Sequence, residues 1–202
     1  APLSEIGLGE AFKRVAEAEA ERAALIYDRQ RMKYGELYDE ASQLARRLAA
    51  YLPESGQTVA LLMPRDFSLF IAMCAVALSG HNWLILDASL PEQRLHELLL
   101  DCNAALCLCG EARPDLDGLL PAVTREQLSA LPAAAPLPAV GPDALAYLVY
   151  TSGSSGKPKA VEITQAALLN LAAAMRPLYP KGAVLASGNS SFDAFLLESM
   201  TA

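Results

Sequence analysis

Hydrophobic residues along the chain fall into two kinds of run, short continuous ones and longer ones with helical spacing. The continuous runs predict strands covered on both faces, at residues 24–27, 58–63, 83–86 and 105–109. Helical spacing or a capping residue predicts helices between those strands, at about residues 36–51, 67–78 and 91–101. Strand–helix units of this size are typical of an α/β protein with mostly parallel sheets flanked by helices.

A proline-rich stretch divides this pattern in two. Residues 111–143 contain six of the 13 prolines, so we predict a connector there, with one helical turn near its middle. Residues 1–110 then form a first αβ subdomain. Residues 144–202 begin a second αβ subdomain, truncated at its C-terminus, and we expect the segment after Pro142 to belong to a second, adjacent sheet or subdomain. Its predicted elements are strands at 144–150, 161–163 and near Val184, a helix capped by Thr164, and a final helix from about Ala194.

The composition limits the kinds of partner. Hydrophobic residues make up 53% of the chain, enough to bury a core, and the net charge of −7 disfavours binding to nucleic acid. The longest apolar run, residues 67–78, is too short to span a membrane, and the first residues contain no apolar signal segment. We therefore expect a cytoplasmic protein that binds neither nucleic acid nor membranes.

The cysteines and histidines do not follow a metal-binding pattern. Cys107 and Cys109 lie on an apolar strand, with no second cysteine pair and no histidine at ligand spacing. We expect reduced, buried thiols and no metal-binding residues. His81 and His96 are expected at the surface or at a sheet edge, and Asp87 is expected to cap or end an element.

The segment Tyr147–Ile163 carries the most chemical information, with the sequence YLVYTSGSSGKPKAVEI. It is a predicted strand, then a loop of glycine and small hydroxyl residues with two lysines around a proline. Such a loop exposes backbone N–H groups to polyphosphate oxygens. The side chains that add donors or charge are Thr151, Ser152, Ser154, Ser155, Lys157 and Lys159. Groups of this kind stabilise the negative charge on the β and γ phosphates of a nucleotide when pyrophosphate leaves. Taken alone, these residues also allow a flexible Gly/Ser hairpin loop.

The spacing of this loop is not that of P-loop NTPases, because only Ser154 and Ser155 separate Gly153 from Gly156. The segment instead resembles the phosphate-binding signature of the adenylate-forming superfamily, which includes nonribosomal peptide synthetase adenylation domains, acyl-CoA synthetases and luciferases. The matching residues are Tyr150, Thr151, Ser152, Gly153, Ser154, Ser155, Gly156, Pro158 and Lys159. Ala160 departs from the usual glycine, and its methyl group is tolerated if the backbone there has negative φ.

Three further segments resemble motifs of the same superfamily in the same order, so the resemblance covers nearly the whole chain. They are Met32–Leu37, Leu78–Asp87 with Leu90, Pro91, Arg94 and Leu95 after it, and Ser191–Phe195. The second is degenerate, because His81, Asn82 and Trp83 replace small residues and Ala88 replaces a proline. In the third, Phe195 stands where serine is usual.

The resemblance gives Asp193 a role in substrate selection. In members that activate amino acids, the matching aspartate holds the α-ammonium group through a charge-assisted hydrogen bond. Members that activate aryl or fatty acids usually lack it. With this role, Ala194 and Leu197 are expected to line the substrate side-chain pocket. The alternative is that Asp193 only caps the helix that begins at Ala194.

The resemblance implies ATP-dependent activation of an amino acid as aminoacyl-AMP, with release of pyrophosphate. It assigns catalysis to Thr151 and Lys159, and phosphate binding to each residue from Thr151 to Lys157 and to Lys159. The implied cofactors are ATP, Mg²⁺ and the phosphopantetheine of a carrier-protein domain, which receives the acyl group in the full protein. Neighbouring synthetase domains are implied as further partners.

Two other functions fit part of the sequence. One is an acyl- or aryl-CoA synthetase of the same superfamily, against which Asp193 speaks. The other is a non-catalytic docking or scaffold module, which the degenerate second motif and Ala160 favour. The superfamily's adenine-side and ribose-binding motifs, and its small C-terminal domain with a catalytic lysine, do not occur in these residues. We therefore expect a fragment with little or no activity alone.

Overall fold

The computed structural model describes residues 5–132, 135–151, 158–178, 184–189, 191 and 195. Six α-helices and eight β-strands lie within these ranges. The helices are α1 (Leu8–Ala18), α2 (Tyr34–Tyr51), α3 (Phe67–Leu78), α4 (Glu92–Asp101), α5 (Arg125–Ser129) and α6 (Gln165–Met175). The strands are β1 (Ala23–Tyr27), β2 (Gln30–Lys33), β3 (Thr58–Leu62), β4 (Asn82–Ile85), β5 (Leu106–Cys109), β6 (Ala122–Thr124), β7 (Leu145–Thr151) and β8 (Lys159–Thr164).

The strands form a small hairpin and one large sheet. β1 and β2 pair as an antiparallel hairpin, and the other six strands lie in the order β6-β5-β3-β4-β7-β8. Every neighbouring pair in the large sheet is parallel except β7 and β8, which are antiparallel. The predicted α/β class, with a mostly parallel sheet flanked by helices, is confirmed.

Helices cover both faces of the central strands. Along β3, Val59 and Leu61 belong to the core under α1, α2, α3 and α6, whereas Ala60 and Leu62 belong to the core under α4. This alternation follows from the two-residue period of a strand. Because both faces are buried, β3 is a continuous apolar run in the sequence.

Short-range signals fix helix ends as the sequence predicts. Asp66 caps α3, since its carboxylate accepts a hydrogen bond from the Ser68 N–H at 2.8 Å. The chain leaves α3 through Gly80, whose φ of +84° favours glycine. At α6, the Thr164 hydroxyl accepts a hydrogen bond from the Ala167 N–H at 3.2 Å.

The prediction of a separate second sheet is wrong. β7 pairs in parallel with β4, with Trp83 opposite Tyr147, so strands on both sides of the proline-rich stretch share one sheet. The stretch itself supplies β6, which pairs with β5. Such pairing depends on which strand edges are left open, and a local apolar pattern does not report this. The boundaries 1–110, 111–143 and 144–202 stay predictions as domain limits.

Several other local features of the structure can be compared with the sequence predictions. The strand predicted near Val184 is wrong, because residues 184–187 are irregular. His81 is buried rather than at the surface. Cys107 and Cys109 lie in β5 as predicted, and their thiols are free. None of the described helices combines the length and the hydropathy needed to cross a bilayer.

Candidate functional site

The carboxyl ends of β3 and β4 form a topological switch point. β3 continues into α3, which packs on one face of the sheet, and β4 continues into α4, which packs on the opposite face. Neighbouring parallel strands that diverge in this way leave a crevice between their carboxyl ends, and open α/β sheets bind ligands there. The fold therefore predicts a ligand site between the ends of β3 and β4.

A cleft with a volume of about 460 Å³ lies at this position. It is lined by residues that follow β3, β4 and α6, namely Met63, Arg65, Leu86, Asp87, Ala88, Ser187 and Asn189. This volume is typical of small-molecule sites. The polar part of the lining includes a guanidinium, a carboxylate and a carboxamide.

Arg65 connects the end of β3 to residues that come much later in the chain. Its guanidinium donates a hydrogen bond to the backbone carbonyl of Ala186. The Arg65 Cζ atom also lies 4.9 Å from the centre of the Phe195 ring, a cation–π distance. On α3, Phe70 contacts the same ring, with 5.6 Å between the ring centres. Phe195, in the Ser191–Phe195 motif, is fully buried by these contacts and by the core.

Asp87 connects the end of β4 to residues that come much later in the chain. Its carboxylate accepts hydrogen bonds from the Ser89 backbone N–H at 2.9 Å and from the Ser89 hydroxyl at 2.7 Å. It also accepts one from the Asn189 side-chain amide at 3.3 Å. The bonds from Ser89, followed by that from Asn189, lower the pKa of Asp87, so the group is ionised at neutral pH. The position of Asp87 after a strand agrees with the prediction, but its contact with Asn189 was not predicted.

The two residues that flank the predicted phosphate loop pair with each other in the β7–β8 hairpin. Thr151, the last residue of β7, lies opposite Lys159, the first residue of β8. The Thr151 hydroxyl donates to the Lys159 carbonyl at 3.4 Å, and both side chains are exposed. Because β7 is parallel to β4, the loop starts at the same end of the strands as the cleft. Ser152–Lys157 lie outside the described residues.

Ala160 does not strain the base of this loop. It lies in β8 opposite Tyr150, and it is not one of the described residues with positive φ. A β-strand backbone accepts alanine without steric cost. The departure from the superfamily's usual glycine therefore leaves the hairpin geometry intact.

Tyr150, near the end of β7, forms hydrogen bonds with α4. Its hydroxyl donates to the Asp101 carboxylate at 2.6 Å and lies 3.4 Å from the Leu98 carbonyl. Burial, and after it the hydrogen bond to Asp101, raise the pKa of Tyr150 far above its usual range. The phenol therefore acts as a neutral donor that fixes the strand from which the loop leaves.

The structure places only part of the predicted site. Thr151 and Lys159 come together at the hairpin base, whereas Asp193, Ala194 and Leu197 lie outside the described residues, as does the loop itself. Two polar residues at the site were not predicted from the sequence. They are Arg65, which contacts Ala186 and Phe195, and Asn189, which contacts Asp87. Tyr150 was predicted only as part of the motif, without its hydrogen bond to Asp101. The sequence signal for these contacts is weak, because each one joins residues that are distant in the chain.

Comparison with known proteins identifies the class of this fold and site. A family model described as AMP-binding enzyme matches residues 12–201. The chain therefore belongs to the AMP-binding enzyme family. Nonribosomal peptide synthetase flvI of Aspergillus flavus is 33% identical over 193 residues, which are 93% of this chain and 18% of that protein.

Solved structures narrow the assignment within the family. PA1221, an NRPS protein containing adenylation and PCP domains, superposes with a TM-score of 0.89 at 28% identity, over 100% of this chain and 41% of that one. The Klebsiella oxytoca NpsA N-terminal subdomain in complex with anthranilyl-AMSN gives 0.83 at 25% identity, over 98% of this chain and 52% of that one. The chain corresponds to the N-terminal portion of a nonribosomal peptide synthetase adenylation domain. It spans about half, or less, of each of these relatives.

Proposed function

We propose that the complete protein activates an amino acid with ATP, forming aminoacyl-AMP and releasing pyrophosphate. Membership of the AMP-binding enzyme family supports adenylate formation, and the relation to a nonribosomal peptide synthetase favours an amino acid. The observation that carries the proposal is the β7–β8 hairpin, which brings Thr151 and Lys159 together at the carboxyl end of β7, the same end of the sheet as the cleft.

Each part of the hairpin has a role in this reaction. The amino acid carboxylate attacks the α-phosphate of ATP, and negative charge accumulates on the departing pyrophosphate. The exposed Lys159 ammonium stabilises that charge, and the Thr151 hydroxyl adds a donor at the base of the loop. Backbone N–H groups and side chains of residues 152–157 would hold the β and γ phosphates. Electrostatic stabilisation of this kind acts on the transition state more than on bound ATP.

The substrate class rests on Asp193. A carboxylate suits an α-ammonium group, which aryl and fatty acids lack. The second candidate is an aryl acid, because the NpsA subdomain was solved with anthranilyl-AMSN, which carries an aromatic acyl group. A non-catalytic scaffold has less support, since the extended backbone at Ala160 removes one of its two arguments.

The remaining parts of the reaction belong to other groups. Mg²⁺ would enter with ATP, because this ion is usually held by substrate phosphates together with one or two carboxylates. We propose that the acyl group then passes to phosphopantetheine on a carrier domain, as the pairing of adenylation and PCP domains in PA1221 suggests. Contact with neighbouring synthetase domains and a cytoplasmic location stay predictions.

Lys159→Ala in the complete protein tests the proposal. We expect amino-acid-dependent ATP–pyrophosphate exchange to fall by about 100-fold or more, because a charged donor to the leaving group is lost. Lys13→Ala on α1 is the matched control, since Lys13 is also exposed and is paired with Glu17 at the surface. A loss of less than about threefold in Lys159→Ala would overturn the role of the hairpin.

A further inference from the structure

The end of the β7–β8 hairpin extends beyond the part of β7 that pairs with the central sheet. β7 pairs with β4 at Tyr147 and Leu148. Its pairing with β8 continues further, to Thr151, which lies opposite Lys159. A two-stranded ribbon is at best marginally stable alone in water. The end of the hairpin therefore depends on contacts that its side chains make with the rest of the fold.

Tyr150 makes such a contact with the helix layer. Its hydroxyl donates a hydrogen bond to the Asp101 carboxylate at 2.6 Å, and its ring packs against the core under α4. The distance is typical of a hydroxyl that donates to a carboxylate, which is one of the stronger kinds of hydrogen bond. Asp101 therefore holds the end of β7 against α4.

Tyr150 is also next to both groups that we assign to ATP. Thr151 follows Tyr150 in β7, and Lys159 precedes Ala160, the residue opposite Tyr150 in β8. Opposite residues of an antiparallel pair point to the same face, with Cβ atoms about 4.5–5.5 Å apart. The Ala160 methyl group, which the superfamily's usual glycine lacks, therefore lies on the same face as the Tyr150 side chain. A displacement of Tyr150 moves both Thr151 and Lys159.

The helix itself does not explain an aspartate at its C-terminal end. Asp101 is the last residue of α4, where the negative end of the helix dipole disfavours a carboxylate. Aspartate is also a poorer helix former than alanine. The hydrogen bond from Tyr150 offsets these costs and gives the carboxylate a role outside the helix.

We propose that Asp101 is a positioning residue, which acts through Tyr150 to hold Thr151 and Lys159 in place for the release of pyrophosphate. The inference rests on the proposed function, because these two groups affect the rate only if phosphate charge develops beside them. A displacement of about 1 Å at a site residue can cost up to about 100-fold in rate. Because the charge develops in the transition state, a misplaced donor lowers kcat more than it weakens substrate binding.

Three substitutions in the complete protein test this role, with steady-state constants for ATP and for the amino acid. We expect Asp101→Ala and Tyr150→Phe each to lower kcat by about tenfold, in line with the loss of a hydrogen bond to a charged group. Both KM values should stay within about twofold of the wild type. Asp101→Asn keeps an acceptor oxygen, so its loss should be below about threefold. Asp101→Ala and Tyr150→Phe combined should lose no more than either one alone.

A double-mutant cycle with Lys159 identifies the group through which Asp101 acts. In the background of Lys159→Ala, Asp101→Ala should lower kcat by less than about threefold, because the lysine that it positions is already absent. A full further loss of about tenfold would overturn the inference. Equal increases in the two KM values of Asp101→Ala, without a change in kcat, would also overturn it.

Glu92→Ala is the matched control, because Glu92 is an exposed acid at the other end of α4, about 13 Å from Asp101 along the helix axis. The helix dipole favours an acid in the first turn and disfavours one in the last turn. If only the stability of α4 mattered, Glu92→Ala would therefore be the more harmful variant. We expect it to leave kcat unchanged, and a loss as large as that of Asp101→Ala would overturn the inference.

Amide hydrogen exchange separates this inference from the proposed function. We expect the amides of residues 149–151 to exchange about tenfold faster in Asp101→Ala than in the wild type or Glu92→Ala, because a local contact is lost. Unchanged exchange would overturn the role of Asp101. If exchange becomes faster but the wild type activates no acid, the positioning of the hairpin by Asp101 is supported and the proposed function fails.

Discussion

The central strands and the β7–β8 hairpin belong to one sheet but differ in their contact with solvent. Every residue of β4 and β5 is buried, whereas the first four residues of β8 are exposed. The central strands lie between two helical layers, and β8 is at the edge of the sheet. The exposed hairpin carries the lysine and the hydroxyl that we assign to ATP, and the buried strands β3 and β4 lead into residues that line the cleft.

This difference indicates a division of labour within the fold. Buried strands supply most of the free energy of folding, because burial of apolar area is the main favourable contribution. Exposed loops on such a platform can change with little loss of stability, and they often carry function. Substitutions in the central strands should therefore lower stability more than activity, and substitutions in the hairpin should lower activity more than stability.

The largest expected effect on stability is in the centre. Trp83→Ala should lower the free energy of unfolding by about 3–5 kcal/mol, because the indole is buried and stacks on Tyr147 with 5.7 Å between ring centres. Val161→Ala in β8 should cost less than about 1 kcal/mol, since Val161 is 39% exposed. Chemical denaturation measures both values, and similar losses would contradict the proposed division.

Trp83→Phe sharpens the same comparison. The Trp83 indole N–H is buried without a hydrogen-bond partner among the described residues. Phenylalanine removes that unsatisfied donor and keeps an aromatic ring against Tyr147. The loss in unfolding free energy should therefore be well below that of Trp83→Ala. If the two losses were equal, ring stacking would not be the source of the stabilisation.

The next effect concerns the substrate. Asp193→Asn keeps the size of the side chain and removes its charge, so the amino acid KM should rise by about tenfold or more, in line with hydrogen bonds to charged groups. The ATP KM should barely change. If both KM values rose equally, or if only the melting temperature fell, Asp193 would be a helix cap and an amino acid substrate would lose its main support.

A smaller effect is expected at the start of α6. Thr164→Ala removes the hydroxyl that accepts the Ala167 N–H, and N-cap losses of this kind cost about 1 kcal/mol. Thr164→Ser keeps the hydroxyl and should cost much less. Denaturation midpoints of the two variants test this, and equal values would show that the cap contributes nothing.

The smallest effect is a dependence of stability on pH. Burial lowers the pKa of His81, and the backbone of Leu52 offsets this only in part. Below about pH 6.5 the unfolded state therefore binds more protons at this site than the folded state, so stability falls as the pH falls. His81→Phe should reduce the loss between about pH 7.5 and about pH 5.5. An unchanged pH dependence in His81→Phe would assign it to other groups.

Local sequence signals predicted the central fold well. β3 and α3 follow from a continuous apolar run and from the Asp66 cap, and both are confirmed. β2 was missed because its sequence QRMK is polar, and its strand form depends on pairing with β1. β6 was missed because three residues in a proline-rich stretch carry almost no periodicity. Tertiary pairing decides such short elements.

The site was predictable only where one continuous motif supplies it. Thr151 and Lys159 belong to a single segment, so a sequence motif finds them. Arg65, Asp87 and Asn189 lie far apart in the chain, and no single segment relates them. Their association depends on the order of the strands, since β3 and β4 are neighbours whose helices leave to opposite faces.

The central claim is amino acid adenylation, and a substrate scan tests it most directly. ATP–pyrophosphate exchange by the complete protein would be measured with each amino acid and with a set of aryl and fatty acids. We predict exchange that depends on one amino acid or on a few related ones, and no exchange with acids that lack an ammonium group. Exchange with aryl or fatty acids alone, or with no acid at all, would contradict the claim.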